Sequence, residues 1–349
     1  MRVLVTGGSG FLGSHVCERF RRDGWDVTAF DNLSKHELVR TGYDAQAARE
    51  HNLRWLDSIG ATLARADVTD LDAVCDYASG ADFIVHTAAQ PAMTIGMEEP
   101  VLDLRTNVLG TAHALEAARR HRIPVVTCST IHVYGTWVND TLTERPTRYA
   151  RQPATVNEEA PTLGGQLTPL HASKAAGEHY VRVYADSYRV RAAAFRFTGL
   201  YGPRQFGGED HGWVANFCIR SLVGLPLTVY GTGKQVRDIL YASDAAQAFV
   251  DFYQRGEAGI YNVGGGLDTA VSLLECIEMI SAITGRPSDI RFGPSRFGDL
   301  QYFVCDVTKA ARVLGWKPRV AVRAGLEALV DWIETAREIF TTARVGAQS

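Results

Sequence analysis

Neither charge sign is in excess in this sequence. Its 36 lysines and arginines nearly balance 39 aspartates and glutamates, for a formal net charge of −3. Binding to nucleic acid or to an acidic membrane is therefore not expected, although a local basic cluster can still hold a phosphate. Long hydrophobic runs are missing too. The apolar stretches are strand-length, so no membrane span is expected. Cysteines are few and scattered, at Cys17, Cys75, Cys128, Cys218, Cys276 and Cys305, with no C-x-x-C pair. That argues against a zinc site or a disulfide framework and for a reducing, cytoplasmic setting. No metal is expected. No internal repeat or low-complexity run stands out. No signal peptide is expected either, because Arg2–Thr6 already reads as a buried strand.

What is present is 349 residues of ordinary globular composition, 46% hydrophobic and 21% charged. That length suits two structural units, or one large unit with an appended lobe. Short apolar runs at Arg2–Thr6, Asp26–Phe30, Thr62–Arg65, Phe83–Thr87, Val125–Ser129 and Ala192–Arg196 read as strands. Amphipathic stretches at Phe11–Arg22, Leu71–Tyr77, Thr106–His121 and His171–Tyr188 read as helices between them. Such alternation implies an α/β fold with parallel strands and crossover helices. The polar, unpatterned insertion Lys35–Trp55 reads as a loop with a short helix, near a cofactor or the mouth of the site. After Arg196 the alternation stops. Helices are expected at Val214–Leu222, Ser272–Thr284 and Arg323–Thr335, with a strand returning to the first unit at Gly259–Val263. The expected division is 1–196 plus that returning strand, and a smaller interleaved α/β substrate lobe from 197–258 and 264–340. Thr341–Ser349 reads as a loose tail.

Gly7, Gly10 and Gly13, in Val3-Leu4-Val5-Thr6-Gly7-Gly8-Ser9-Gly10-Phe11-Leu12-Gly13, have a G-x-x-G-x-x-G spacing. The first glycine permits a tight turn out of a strand, the second a close approach of backbone to a pyrophosphate, the third close helix–strand packing. Free N–H groups and the helix dipole then face the phosphates. The run follows a strand and opens a helix that ends at Asp23-Gly24 with a suitable C′ glycine. Asp31 ends the second strand 18 residues after Gly13, where an acid binds the adenosine ribose hydroxyls and repels the 2′-phosphate of NADP. A Rossmann-type doubly wound sheet that binds NAD is the expectation. Asp67 is either an adenine contact or an N-cap for the helix beginning near Asp70.

The chain resembles the extended short-chain dehydrogenase/reductases, in the group of nucleotide-sugar epimerases and dehydratases. It is most similar to the CDP-paratose 2-epimerase (CDP-tyvelose epimerase) branch. The similar segments are Phe30-Asp31-Asn32-Leu33-Ser34, Asn52-Leu53-Arg54-Trp55-Leu56, Ala88-Ala89-Gln90-Pro91-Ala92-Met93-Thr94, Arg204-Gln205-Phe206 with Gly212-Trp213-Val214, and Gly233-Lys234-Gln235-Val236-Arg237-Asp238. The resemblance implies a tightly held NAD that takes a hydride from a sugar carbon and returns it. It also implies a catalytic Ser/Thr with a Tyr-x-x-x-Lys. On this basis the cofactor-binding candidates are Gly7, Gly10, Phe11, Leu12, Gly13, Asp31, Asn32, Asp67, Val68, Ala88 and Lys174. The substrate-binding candidates are Gln90, Thr94, Gln205, Arg237 and Arg296, the two arginines falling where similar enzymes hold a nucleotide diphosphate. Gly199 stands where many epimerases carry Asn.

Thr130, in Ser129-Thr130-Ile131-His132, falls on the family's catalytic hydroxyl, and Lys174 on its lysine. Four residues before that lysine stands Leu170 in place of tyrosine, and leucine has no proton to give or take. His171 and His132 are the candidate replacements, since imidazole titrates near neutrality. One residue along a helix is about 100° of rotation, which turns His171 away from the tyrosine direction. His132 stands where dehydratase relatives carry the Glu of an acid pair. Both histidines also have an ordinary structural reading, and loss of the redox chemistry altogether is a further one. Glu209, Asp210 and His211 read either as added acid/base groups or as a solvated loop.

The expected function is an NAD-dependent epimerase or isomerase of a nucleotide-linked sugar with a non-standard base. The alternatives are a dehydratase (a lyase) acting on a nucleotide sugar or nucleoside, and a non-catalytic NAD-binding protein. The resemblance also implies a homodimer through the helices Thr106–His121 and His171–Tyr188, with Ala112, Leu115, Ala118, Ala175, Val181 and Tyr184 as apolar positions; their other role is packing on the sheet.

Overall fold

A computed structural model describes residues 1–341; apart from Thr341, the expected loose tail lies outside the described residues. Seven parallel strands form the main sheet: β1 (Arg2–Thr6), β2 (Asp26–Asp31), β3 (Thr62–Arg65), β4 (Phe83–His86), β5 (Val125–Thr130), β6 (Ala192–Phe197) and β7 (Gly259–Val263). Their order is β3-β2-β1-β4-β5-β6-β7. The chain reverses direction across the sheet between β1 and β4. A crevice opens at the carboxyl ends there, which is where doubly wound sheets bind ligands.

Alternation along β1 shows why the sheet is a central layer. Val3 and Val5 join Phe20, Phe249 and Phe252 on one face. Leu4 joins Leu115, Ala118 and Val181 on the other. Both faces are apolar because helices cover both. The helix Ala242–Arg255, which supplies Phe249 and Phe252, is an element that the sequence reading lacked.

Two segments differ from expectation. Lys35–Trp55 is mostly helix: His36–Val39 and the longer Ala45–Ser58, capped by the Asp44 carboxylate on the Ala47 N–H at 2.9 Å. The insertion clasps distant parts of the chain. His51 packs edge-on against Phe206 and Trp332, Tyr43 against Phe340, and Arg204 stacks over Trp55 at 4.4 Å. The second difference lies before Gly110–His121, where Leu104–Leu109 is wound as a π-helix. That wider turn carries Asn107 inward, so that its amide meets Gln90, Asp103 and Ser173.

The smaller lobe has its own core of Leu222, Leu227, Val229, Ile277, Ile280, Leu326 and Leu329. Leu227–Tyr230 pairs with Ile290–Gly293, and Val236–Asp238 lies between Ala270–Ser272 and Tyr302–Phe303. The helices Trp213–Val223, Leu273–Thr284 and Val322–Thr335 complete it.

Candidate active site

A single cavity of about 1190 Å³ runs from the glycine turn, past the end of β5, into the smaller lobe. The turn is built for close approach. Gly7 has φ +67°, and a Cβ there would stand 2.7 Å from the Ala88 nitrogen. A Cβ on Gly13 would stand 2.1 Å from the Gly7 carbonyl oxygen. Side chains are excluded at both points, so backbone N–H groups and the start of Phe11–Arg22 are left to face an anion. Asp31 lines the cavity, and its Oδ2 accepts from the Ser9 N–H at 2.9 Å and the Ser9 hydroxyl at 2.8 Å. Ser9 is thus built into the glycine turn, although the glycine spacing treats it as a free position.

Asp67 lines the cavity and accepts from the Asn32 amide at 2.7 Å and from Thr69. The N-cap of the helix Leu71–Ala78 is Asp70, on the Ala73 N–H, and not Asp67. Phe11, Leu12, Val68 and Ala88 line the same stretch of wall. This half of the cavity fits a dinucleotide: glycine-walled where a diphosphate needs room, acidic where a ribose needs acceptors.

At the centre, Thr130 ends β5 and Lys174 reaches across from the helix Pro169–Tyr188 to donate to the Cys128 carbonyl at 2.9 Å. Burial holds the Lys174 ammonium below the usual lysine range, partly offset by Cys128 and Asp103. Leu170 lines the cavity one turn before Lys174 and puts no polar atom there. His132 lines it too. Its Nδ1 is buried without a partner, and burial beside Arg237 pushes its pKa well below the ordinary value.

His171 is placed elsewhere. It is fully buried, does not line the cavity, and its Nδ1 accepts from the Thr168 N–H at 3.1 Å as one half of a capping box. A backbone N–H can only donate, so neutral His171 carries its proton on Nε2. The helix rotation anticipated from the sequence is what separates it from the site. Thr94 is also misplaced as a substrate ligand: Met93 lines the cavity, whereas the Thr94 hydroxyl is buried without a partner. Gln90 lines the wall, with its amide nitrogen held by Asp103 and the Ala92 carbonyl.

The far end belongs to the smaller lobe. Arg237 is buried and paired with Asp299 at 2.8 Å. Arg296 lies 4.0 Å above the Tyr230 ring and donates to the Glu209 carbonyl at 2.6 Å. The Glu209 carboxylate accepts from Thr228 and from the Tyr230 hydroxyl. Asp210, His211 and Gln205 line the same region. Gly199 leaves room that Trp213 borders, its Nε1 standing 3.4 Å from where a Cβ would lie.

Residues 3–264 match the NAD dependent epimerase/dehydratase family. The chain belongs to that family. Its members are NAD-dependent enzymes, and the glycine turn with Asp31 has the form that a dinucleotide requires. The chain is 32% identical to a CDP-paratose 2-epimerase of Salmonella typhi, over 95% of this chain and 99% of that one. Its fold superposes on a UDP-glucose 4-epimerase of Thermotoga maritima solved with UDP-glucose, with a TM-score of 0.81, 27% identity, and coverage of 97% and 100%. For a UDP-glucose 4-epimerase of Thermus thermophilus solved in complex with NAD, the TM-score is 0.78 and the identity 33%, with coverage of 96% and 100%. No helix among the described residues is long and apolar enough to cross a membrane. No cluster of His, Cys, Asp and Glu that could hold a metal ion occurs among them.

Proposed function

We propose that this enzyme epimerises a nucleotide-linked sugar, with His132 handling the proton that a tyrosine handles in its relatives. The observation that carries the reading is the cavity itself. It joins the glycine turn to Arg237 and Arg296 and passes Thr130, Lys174 and His132 midway. A ligand filling both ends places its sugar at those three side chains. Bound NAD would supply both the acceptor and the donor of a sugar-carbon hydride, so that the reaction would have no net redox change. Thr130 holds the sugar hydroxyl, being both donor and acceptor. Lys174 holds the cofactor side of the site. His132 takes the hydroxyl proton as the carbonyl forms and gives it back as the carbonyl is reduced. Arg237 and Arg296 bind the diphosphate, for which a planar fork is suited.

The working unit is a homodimer in a reducing, cytoplasmic compartment. All six thiols are free, which suits that setting. Leu115, Ala118, Ala175 and Val181, assigned from sequence to a dimer face, are buried within this subunit, and the packing role accounts for them. The exposed apolar residues on the second helix and on the π-helix that leads into the first are Leu104, Leu109, Tyr180, Val183 and Tyr188, and these support a dimer face instead.

The test is to screen nucleotide sugars for thermal stabilisation of the NAD-loaded protein and to analyse the product of each binder by mass spectrometry. A product of unchanged mass supports epimerisation. Loss of one water identifies a dehydratase and overturns the reading, as does binding with no turnover.

A further inference from the structure

The insertion that follows β2 carries a buried basic residue at the glycine turn. Lys35 lines the cavity yet is only 9% exposed. Its Nζ donates to the Ser9 carbonyl at 2.8 Å, and Asn52 donates to the same oxygen at 2.9 Å. Ser9 is the residue whose N–H and hydroxyl hold Asp31, and its carbonyl begins the peptide that leads into Gly10 and the helix Phe11–Arg22. Lys35 is therefore fixed at the glycine turn, between the ribose acid and the helix start.

Its charge has no ion-pair partner among the described residues. Asp31 and Glu37 are close enough to favour the ammonium but do not pair with it. Asp31 accepts from Ser9 and from the Leu33 N–H at 2.8 Å, and not from Lys35. Arg49 opposes the charge, and the buried Nε of Arg49 is itself without a partner. Burial holds the ammonium below the usual lysine range. A buried cation with one carbonyl and no anion is costly unless a ligand completes it. An ammonium has three donors, and Ser9 takes one.

We propose that Lys35 is a cofactor ligand whose ammonium binds a phosphate oxygen of NAD at the glycine turn. The proposal rests on the reading of this half of the cavity as the cofactor site. Two phosphates could supply such an oxygen, the bridging diphosphate or the 2′-phosphate of NADP. The anchor on Ser9, next to the helix start that faces a diphosphate, selects the first.

Wild-type protein, Lys35→Met and Lys35→Arg are titrated with NAD, ADP and NADP by calorimetry, and with adenosine by ligand-observed NMR. Losing one charged hydrogen bond should weaken NAD and ADP by about 10- to 100-fold in Lys35→Met. Lys35→Arg should retain most of the affinity, and adenosine, which lacks phosphate, should bind all three proteins alike. Unchanged NAD affinity in Lys35→Met overturns the proposal. So does an equal loss for adenosine, which would mean the turn itself is disturbed, or a loss confined to NADP, which would place Lys35 at the 2′-phosphate. A wild-type protein that binds neither NAD nor ADP overturns the cofactor-site reading as a whole.

Discussion

The imidazoles of His132 and His171 meet edge to face, with ring centres 5.4 Å apart and 81° between their planes, yet only His132 reaches the cavity. Residue 171 is committed to the N-terminal cap of its helix, and its ring is tied to Thr168. Residue 132 follows the end of β5, where nothing in the protein claims its Nδ1. Two histidines in contact therefore have separable roles.

Replacing each one should separate those roles. His132→Gln should fold normally and lose about 10²–10⁴ in kcat, the range for a well-placed acid/base group. His171→Ala should keep the turnover of its folded fraction but lose about 1 kcal/mol of stability with the cap, read as a lower Tm. Wild-type turnover in His132→Gln would remove His132 from the mechanism. Because burial and Arg237 keep His132 neutral, turnover should not fall through its protonation between pH 8 and pH 6.

Asp31 should decide the choice of cofactor. Asp31→Ala should weaken NAD by about 10- to 100-fold and narrow the preference for NAD over NADP. Part of that loss comes from Ser9, which gives up its acceptor and loosens the turn. Asp31→Asn keeps an acceptor for Ser9 while removing the charge, so it should lose less NAD affinity and gain more for NADP. Calorimetry with both cofactors checks this, and NADP binding as tightly as NAD in the wild type contradicts it.

The dimer face is testable at its exposed apolar residues. A charge placed in the middle of a buried apolar interface is left unpaired. Leu104→Glu combined with Val183→Glu should give a monomer by light scattering at micromolar concentration, with NAD affinity retained. A monomeric wild-type protein would remove the interface. A charged change at Leu115 is no test of it, because that side chain is already inside the subunit.

The sheet and the glycine turn were legible because each depends on local pattern. β1, β3 and β7 begin and end where their apolar runs do, and Asp31 follows Gly13 at the spacing a ribose acid requires. The helix Ala45–Ser58 was harder to read, since the insertion's apolar partners, Phe206, Trp332 and Phe340, are supplied by parts of the chain more than 150 residues later. The Asp44 cap was a local signal for it. The π-turn at Leu104–Leu109 departs from the 3.6-residue period on which helix reading rests. The role of Lys35 was hidden for a different reason: its meaning depends on the Ser9 carbonyl, and no spacing rule places a side chain on a carbonyl 26 residues earlier.

Buried histidines should govern stability below neutral pH. Burial lowers the pKa of His15 to about 3, of His86 to about 3 and of His171 to about 4, from an ordinary value of 6.5. The His15 ring is held by the Pro203 carbonyl and opposed by Arg204, and the His86 ring lies between Thr6 and Thr111. In the unfolded chain each titrates near 6.5, so below that pH the unfolded state binds more protons than the native state. Stability therefore rises with pH in this window: it is complete above about pH 6.5 and is lost as pH falls towards 4. Each such histidine contributes up to about 1.4 kcal/mol per pH unit, so the three together give a steep decline. Denaturant unfolding from pH 7.5 to pH 4.5 measures it, and His15→Gln should flatten the slope by about one proton. A stability that stayed constant from pH 6.5 to pH 5 would mean that these rings take up protons in the folded protein, contrary to their burial.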